Sequence, residues 1–140
     1  MRKLMWCVAP LIVAGAFWMG RVSAADKTQN RLFELRTYTT VDGKLDALNA
    51  RFRDHTCKLF EKHGMTNIGY WTPAEGDKSK NTLIYILAFP DKEARNKAFK
   101  EFGEDPDWIK ARTESEANGK ILVKPPESVF LTPTDYSPMK

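Results

Sequence analysis

One run of eight residues, TLIYILAF from Thr82 to Phe89, constrains this chain more than any other. It is rich in β-branched and aromatic residues and is stopped by Pro90-Asp91, so it reads as a strand. Side chains along a strand alternate between the two faces of a sheet. Here Leu83, Tyr85, Leu87 and Phe89 fall on one face, and Ile84, Ile86 and Ala88 on the other. A strand apolar on both sides belongs at the centre of a sheet with both faces covered. The rest of the chain must supply that cover.

Arg31–Thr40 predicts a second strand, with Phe33, Leu35 and Thr37 on one side and Leu32, Glu34, Arg36 and Tyr38 on the other. Lys44–His63 predicts a helix: Leu45, Leu48, Phe52, Thr56 and Leu59 recur at three and four, Asp42 is placed to cap its start, and Gly64 to end it with Met65 folding back. Asn67–Pro73 reads as a short strand, followed by a polar loop. Asp91 caps a helix over Lys92–Phe102 that Gly103 ends. Asp105, Pro106 and Asp107 start another, which runs to about Asn118 with Gly119 closing it. Glu127–Leu131 is extended, and Pro125-Pro126 before it confine it to an edge. The order β-α-β-β-α(α)-β defines an α+β fold: a ferredoxin-like βαββαβ unit with an antiparallel sheet and helices on one face. The other face has no cover from its own chain, and a second copy across a two-fold axis is the expected partner.

The N-terminus is set apart from this unit. Arg2 and Lys3 precede the apolar run Leu4–Gly20, and Val22 and Ala24 are the small residues a signal peptidase recognises. The run contains Pro10 and falls short of the roughly 20 residues of a membrane span. Residues 1–24 are therefore expected to be a signal peptide cleaved before Ala25, residues 25–30 a short linker, and residues 31–138 the domain. The expected product is exported, periplasmic or secreted, with no membrane attachment. Loss of Arg2, Lys3 and Arg21 from the 22 basic residues leaves 19 against 18 acidic ones. The apparent basicity belongs to the signal, and nucleic acid is not an expected partner. Cys7 leaves too, so Cys57 alone remains and no internal disulfide forms.

The stretch RFRDHTCKLFEKHGM carries both histidines and Cys57. On a regular helix His55 and His63 are two turns apart, about 12 Å, and zinc bonds nitrogen at about 2 Å, so they cannot share an ion. His55 and Cys57, at i and i+2, face different ways. No metal, no bound cofactor and no thiol-imidazole pair is expected. His63 reads as a basic residue near the negative end of the helix dipole. His55 falls on the flank of the apolar stripe, at the seam with the sheet, and Cys57 on the solvent side.

Several motifs together resemble the NIPSNAP family: FELRTYT at the first strand, FRDHTCKLFEKHGM on the first helix, IGYWTP and NTLIYILAF on the next strands, DPDW on the following helix, and ESVFLTPTDYSP at the end. Only Pro125-Pro126, where pairing residues are expected, depart from the pattern. The resemblance implies a dimeric α+β barrel, two ferredoxin-like sheets closing face to face. The wider superfamily places a pocket between the helices and the sheet of each subunit. The residues of this chain able to reach such a pocket are His55, Arg36, Tyr38, Tyr70, Trp71, Tyr85 and Trp108, a set suited to a planar or anionic organic ligand. Glu34 and Arg36, two apart on one strand face, are expected to pair. No catalytic residue is assigned. Two readings stand: an exported homodimeric domain binding a small organic ligand or a protein partner, or a small oxidoreductase, monooxygenase or isomerase, haem-linked in one version, using the same pocket.

Overall fold

The structure, a computed structural model, describes residues 31–140; the expected signal peptide (1–24) and linker (25–30) lie outside the described residues. Strands β1 (Leu32–Thr39), β2 (Thr66–Trp71), β3 (Thr82–Phe89) and β4 (Glu127–Leu131) form one antiparallel sheet in the order β2-β3-β1-β4. This is the ferredoxin-like order. β3 is interior, as its two apolar faces require, between β1 and β2. Among the described residues β4 pairs only with β1 and forms an edge, where Pro125-Pro126 interrupt no ladder.

α1 (Leu45–Arg51) and α2 (Cys57–Lys62) make one rod joined by a π-helical turn, Phe52–Thr56. There the Cys57 N–H reaches back five residues to the Phe52 carbonyl, and the Thr56 hydroxyl donates to the Arg51 carbonyl at 3.2 Å. The rod ends as expected: Gly64 has φ 75°, the Met65 N–H bonds the Phe60 carbonyl at 2.9 Å, and Met65 is buried. Its start differs. Lys44, not Asp42, holds the N-cap position, without a side-chain cap. Val41–Lys44 forms a turn through Gly43, at φ 73°, which displaces the first helical residue past Asp42.

α3 (Lys92–Glu104) is capped by Asp91, whose carboxylate accepts from the Ala94 N–H at 2.8 Å. It passes through Gly103 and stops at Asp105, whose extended backbone ends one helix while its side chain caps the next. α4 (Pro106–Ser115) stops short of Asn118, with Glu116 at its C-cap.

The two sheet faces follow from the register. Arg36 stands opposite Tyr85 and Tyr85 opposite Tyr70; Leu35 stands opposite both Ile86 and Val129. The helices cover the face of Leu83, Tyr85 and Leu87, which pack with Leu48, Phe52, Phe60, Phe102 and Ile121 into the core. On the other face Leu35, Ile84 and Ile86 are half-buried, and Val129, Leu131 and Trp71 are exposed.

Candidate functional site: a cleft between sheet and helices

After α4 the chain returns along β1. Val41 donates to the Ile121 carbonyl at 2.9 Å, and Val123 to the Thr39 carbonyl at 3.1 Å. This lays the strip Lys120–Pro126 beside the end of β1, opposite α3 and α4. Between them opens a cleft of about 590 Å³, within the range of small-molecule sites.

Arg36 and Tyr38 form its floor on β1, and Trp108 its wall on α4. All three were expected there. Tyr85 lies beneath the floor, fully buried, and its hydroxyl donates to the Tyr38 hydroxyl at 3.0 Å. Burial pushes the Tyr85 phenol well above its ordinary pKa, so it stays a proton donor. Tyr70 stacks on Tyr85 at 5.4 Å between ring centroids and donates to the Asn67 side chain at 2.5 Å. Both are second-layer supports that do not border the cleft.

Trp71 is on the opposite face, half exposed, with its indole lying over Gly69, where an added Cβ would come within 2.4 Å of the ring. The alternation of the strand decides this: Tyr70 and Trp71 cannot both face the helices. His55 is also elsewhere. It is exposed on the outer side of the helical rod, in a shallow hollow with Asp54, Lys58 and Asp107. The π turn is the cause. One extra residue in the turn rotates the wheel and carries His55 from the flank of the apolar stripe out to solvent, while Thr56 keeps the inward position its spacing predicts. The same shift brings Cys57 from the solvent side to a half-buried place against the core. His63 is tied to the buried Asp105, Nε2 to Oδ2 at 2.7 Å. Neither histidine lines the cleft, so neither is placed to ligate a haem there.

The structure adds residues that sequence patterns missed. Arg51 is buried, its Cζ 5.3 Å from the Trp108 ring, and its Nη1 donates to Ser115 Oγ at 3.1 Å and to Glu116 at 3.4 Å. Burial lowers its pKa from the ordinary guanidinium value, with Glu116 opposing. Phe99 on α3 carries the Arg36 guanidinium at 4.7 Å. Arg112, Lys120 and Lys124 line the mouth. Arg51 had one signal in the sequence: it sits three residues after Leu48, on the apolar stripe.

Arg36 is positioned by Glu34, fully buried behind it. Glu34 accepts from Arg36 Nη1 at 2.9 Å, from Arg95 Nε and Nη2 at 2.7 and 2.6 Å, and from Ser128 Oγ at 2.5 Å. Burial alone would raise its pKa; the bonds from Arg95 and Ser128 and the charges of Arg36 and Arg95 outweigh that and leave it lowered. One carboxylate thus ties β1, α3 and β4 together and fixes the guanidinium that enters the cleft.

A ferredoxin-like sheet with helices on one side and an aromatic, cationic cleft between the layers defines a class of small α+β domains. The chain belongs to the NIPSNAP family, whose sequence model matches residues 33–138. A NIPSNAP family protein of unknown function from Agrobacterium tumefaciens is similar in structure: TM-score 0.68, 20% identity, covering 81% of this chain and 96% of that one. An uncharacterised NIPSNAP domain protein from Burkholderia xenovorans matches with TM-score 0.64 and 25% identity, over 76% and 98% of the two chains. A monooxygenase from Streptomyces coelicolor, solved with nanaomycin D, shares the fold at TM-score 0.52 and 15% identity, over 78% and 92%. Among curated proteins none matches the chain.

Proposed function

We propose that this chain is an exported, homodimeric NIPSNAP domain that binds a small planar organic ligand in the helix–sheet cleft. The carrying observation is the cleft's lining: Tyr38, Phe99 and Trp108 beside the guanidiniums of Arg36 and Arg51, in about 590 Å³. Aromatic walls take flat apolar surface, and a few convergent polar groups set orientation. The dimer is supported by the open sheet face, where Leu35, Ile84, Ile86, Val129 and Leu131 form an apolar surface with no cover from the described residues. Export is supported by the signal-like pattern of residues 1–24.

Mass spectrometry of protein purified from its native compartment tests the ligand. A co-purifying aromatic compound released by denaturation is the expected result; an empty protein whose Trp108 fluorescence responds to no aromatic compound overturns the reading. The same sample tests export, since its N-terminus should be Ala25.

A second reading, cofactor-free oxygenation or isomerisation in the same cleft, draws on two observations. The fold is shared with the Streptomyces monooxygenase, and Tyr85 and Tyr38 set a hydrogen-bonded hydroxyl pair at the cleft floor. Consumption of oxygen, or conversion of the bound compound, would favour it over simple binding.

A further inference from the structure

Four guanidiniums around the cleft share two carboxylates. Arg36 and Arg95 both lean on Glu34. Arg51 and Arg112 both reach Glu116, each at 3.4 Å, too long for a strong charge-assisted bond. Arg112 is exposed at the mouth, while Arg36 and Arg51 are largely held out of water. The Arg51 side chain is 3% exposed, and its Nε is buried with no hydrogen-bond partner among the described residues; the Nε of Arg36 is in the same condition. Buried N–H groups in native folds are almost always bonded, and an unpaired one is destabilising. Both sit on guanidiniums that line one cleft and have fewer partners among the described residues than their five donors need, which points to an acceptor from outside that meets the rest of each fork.

The geometry narrows what that acceptor is. Each guanidinium lies against a ring, Arg51 on Trp108 at 5.3 Å and Arg36 on Phe99 at 4.7 Å. Stacking holds the fork in a fixed plane, the arrangement that suits two-oxygen recognition of a carboxylate. Tyr85 donates to Tyr38, so the Tyr38 hydroxyl has its own proton left to give to a ligand oxygen. We infer that Arg36 and Arg51 are the anion subsite of this cleft, and that its ligand is a planar aromatic carboxylate with its ring against Tyr38 and Trp108. This rests on the cleft being an organic-ligand site, and the test separates the two.

Calorimetric titration of the full chain uses 2-naphthoate and its neutral isostere 2-naphthamide. The wild type should bind naphthoate at least about tenfold more tightly, the margin expected of a charge-assisted pair. In Arg51→Met and in Arg36→Met that preference should fall towards unity, naphthoate losing more than naphthamide, and the naphthamide binding that remains reports an intact cleft. Equal binding of both probes by the wild type overturns the anion subsite and leaves the aromatic cleft standing. Failure of both probes at millimolar concentration overturns the cleft reading as well. Where the buried Arg51→Met variant fails to fold, Arg36→Met carries the assignment: an undiminished preference in it overturns the subsite.

Discussion

Each face of the sheet carries residues out of keeping with its cover. The side under the helices holds the core, yet it also carries Glu34 and Tyr85, fully buried, and Arg36 and Tyr38 at the floor of the cleft. The side away from the helices carries Leu35, Ile84, Ile86, Val129 and Leu131, with Glu127 as the one charged residue on its β4 rows. Charge is costly to bury and apolar surface is costly to expose, so neither arrangement arises from stability of the monomer alone. The covered side spends stability on a polar site. The open side has the composition of a surface that meets another protein.

The largest effect is expected where the open face is broken. Ile86→Asp places a charge at its centre, between Leu35 and β2. If a second subunit covers it, that charge is left unpaired at a buried interface, a loss of about 3–5 kcal/mol. Folding and association are linked in such a dimer, so the wild-type melting temperature should rise with protein concentration, and the variant should unfold or dissociate. Light scattering that shows a stable, folded wild-type monomer at micromolar concentration removes the interface from the comparison.

The covered face is tested next, at Glu34. Glu34→Gln keeps the shape and removes the charge that Arg36 and Arg95 share. Loss of charged hydrogen bonds in a buried site costs about 1.5–3 kcal/mol, readable in urea unfolding. Ligand affinity should fall with it, because Arg36 loses its anchor.

Acid titrates the same contrast at smaller amplitude. Glu34 and Asp105 both have pKa values held below their ordinary 4.5 and 3.8, Asp105 chiefly by hydrogen bonds from Lys62 and His63. The unfolded chain therefore takes up protons first as pH falls. The stability these groups contribute is complete above about pH 5 and is lost progressively below it. Asp105→Asn keeps the N-cap of α4 but removes the charge, so its stability should depend less on pH below 4. An unchanged acid profile in that variant contradicts the ion network at the α3–α4 corner.

Most of the fold was legible because hydrophobic period and caps act locally. The alternation of β3, the capping by Asp91 and Asp105, and the Gly64-Met65 stop each need only a few neighbouring residues, and each is found. Half of the candidate site was legible once the family resemblance implied a pocket between helices and sheet: Arg36 and Tyr38 on the first strand and Trp108 on its helix line the cleft. Arg51, Phe99 and Arg112 were not, because they meet across elements distant in sequence. His55 and Trp71 were misplaced by different errors. Trp71 was grouped with Tyr70 although neighbours on a strand face opposite ways. His55 was placed by a regular 100° wheel, and a π turn has no reliable signature in one sequence.

That last error gives the smallest expected effect. His55 is exposed and lines only the outer hollow beside Asp54 and Lys58. It touches neither sheet face and does not border the cleft. His55→Ala should therefore shift unfolding by no more than about 0.5 kcal/mol, the usual range for a surface change. It should leave naphthoate binding and any oxygen uptake as they are. Thr56→Val at the adjacent residue is the contrasting change. It removes the hydroxyl that bonds the Arg51 carbonyl inside the π turn, at a cost of about 1 kcal/mol. Arg51 starts that turn, so loosening it should also weaken naphthoate more than naphthamide. If His55→Ala instead abolishes binding and Thr56→Val is silent, the helix is regular in solution, and the chemistry has been placed on the wrong side of the rod.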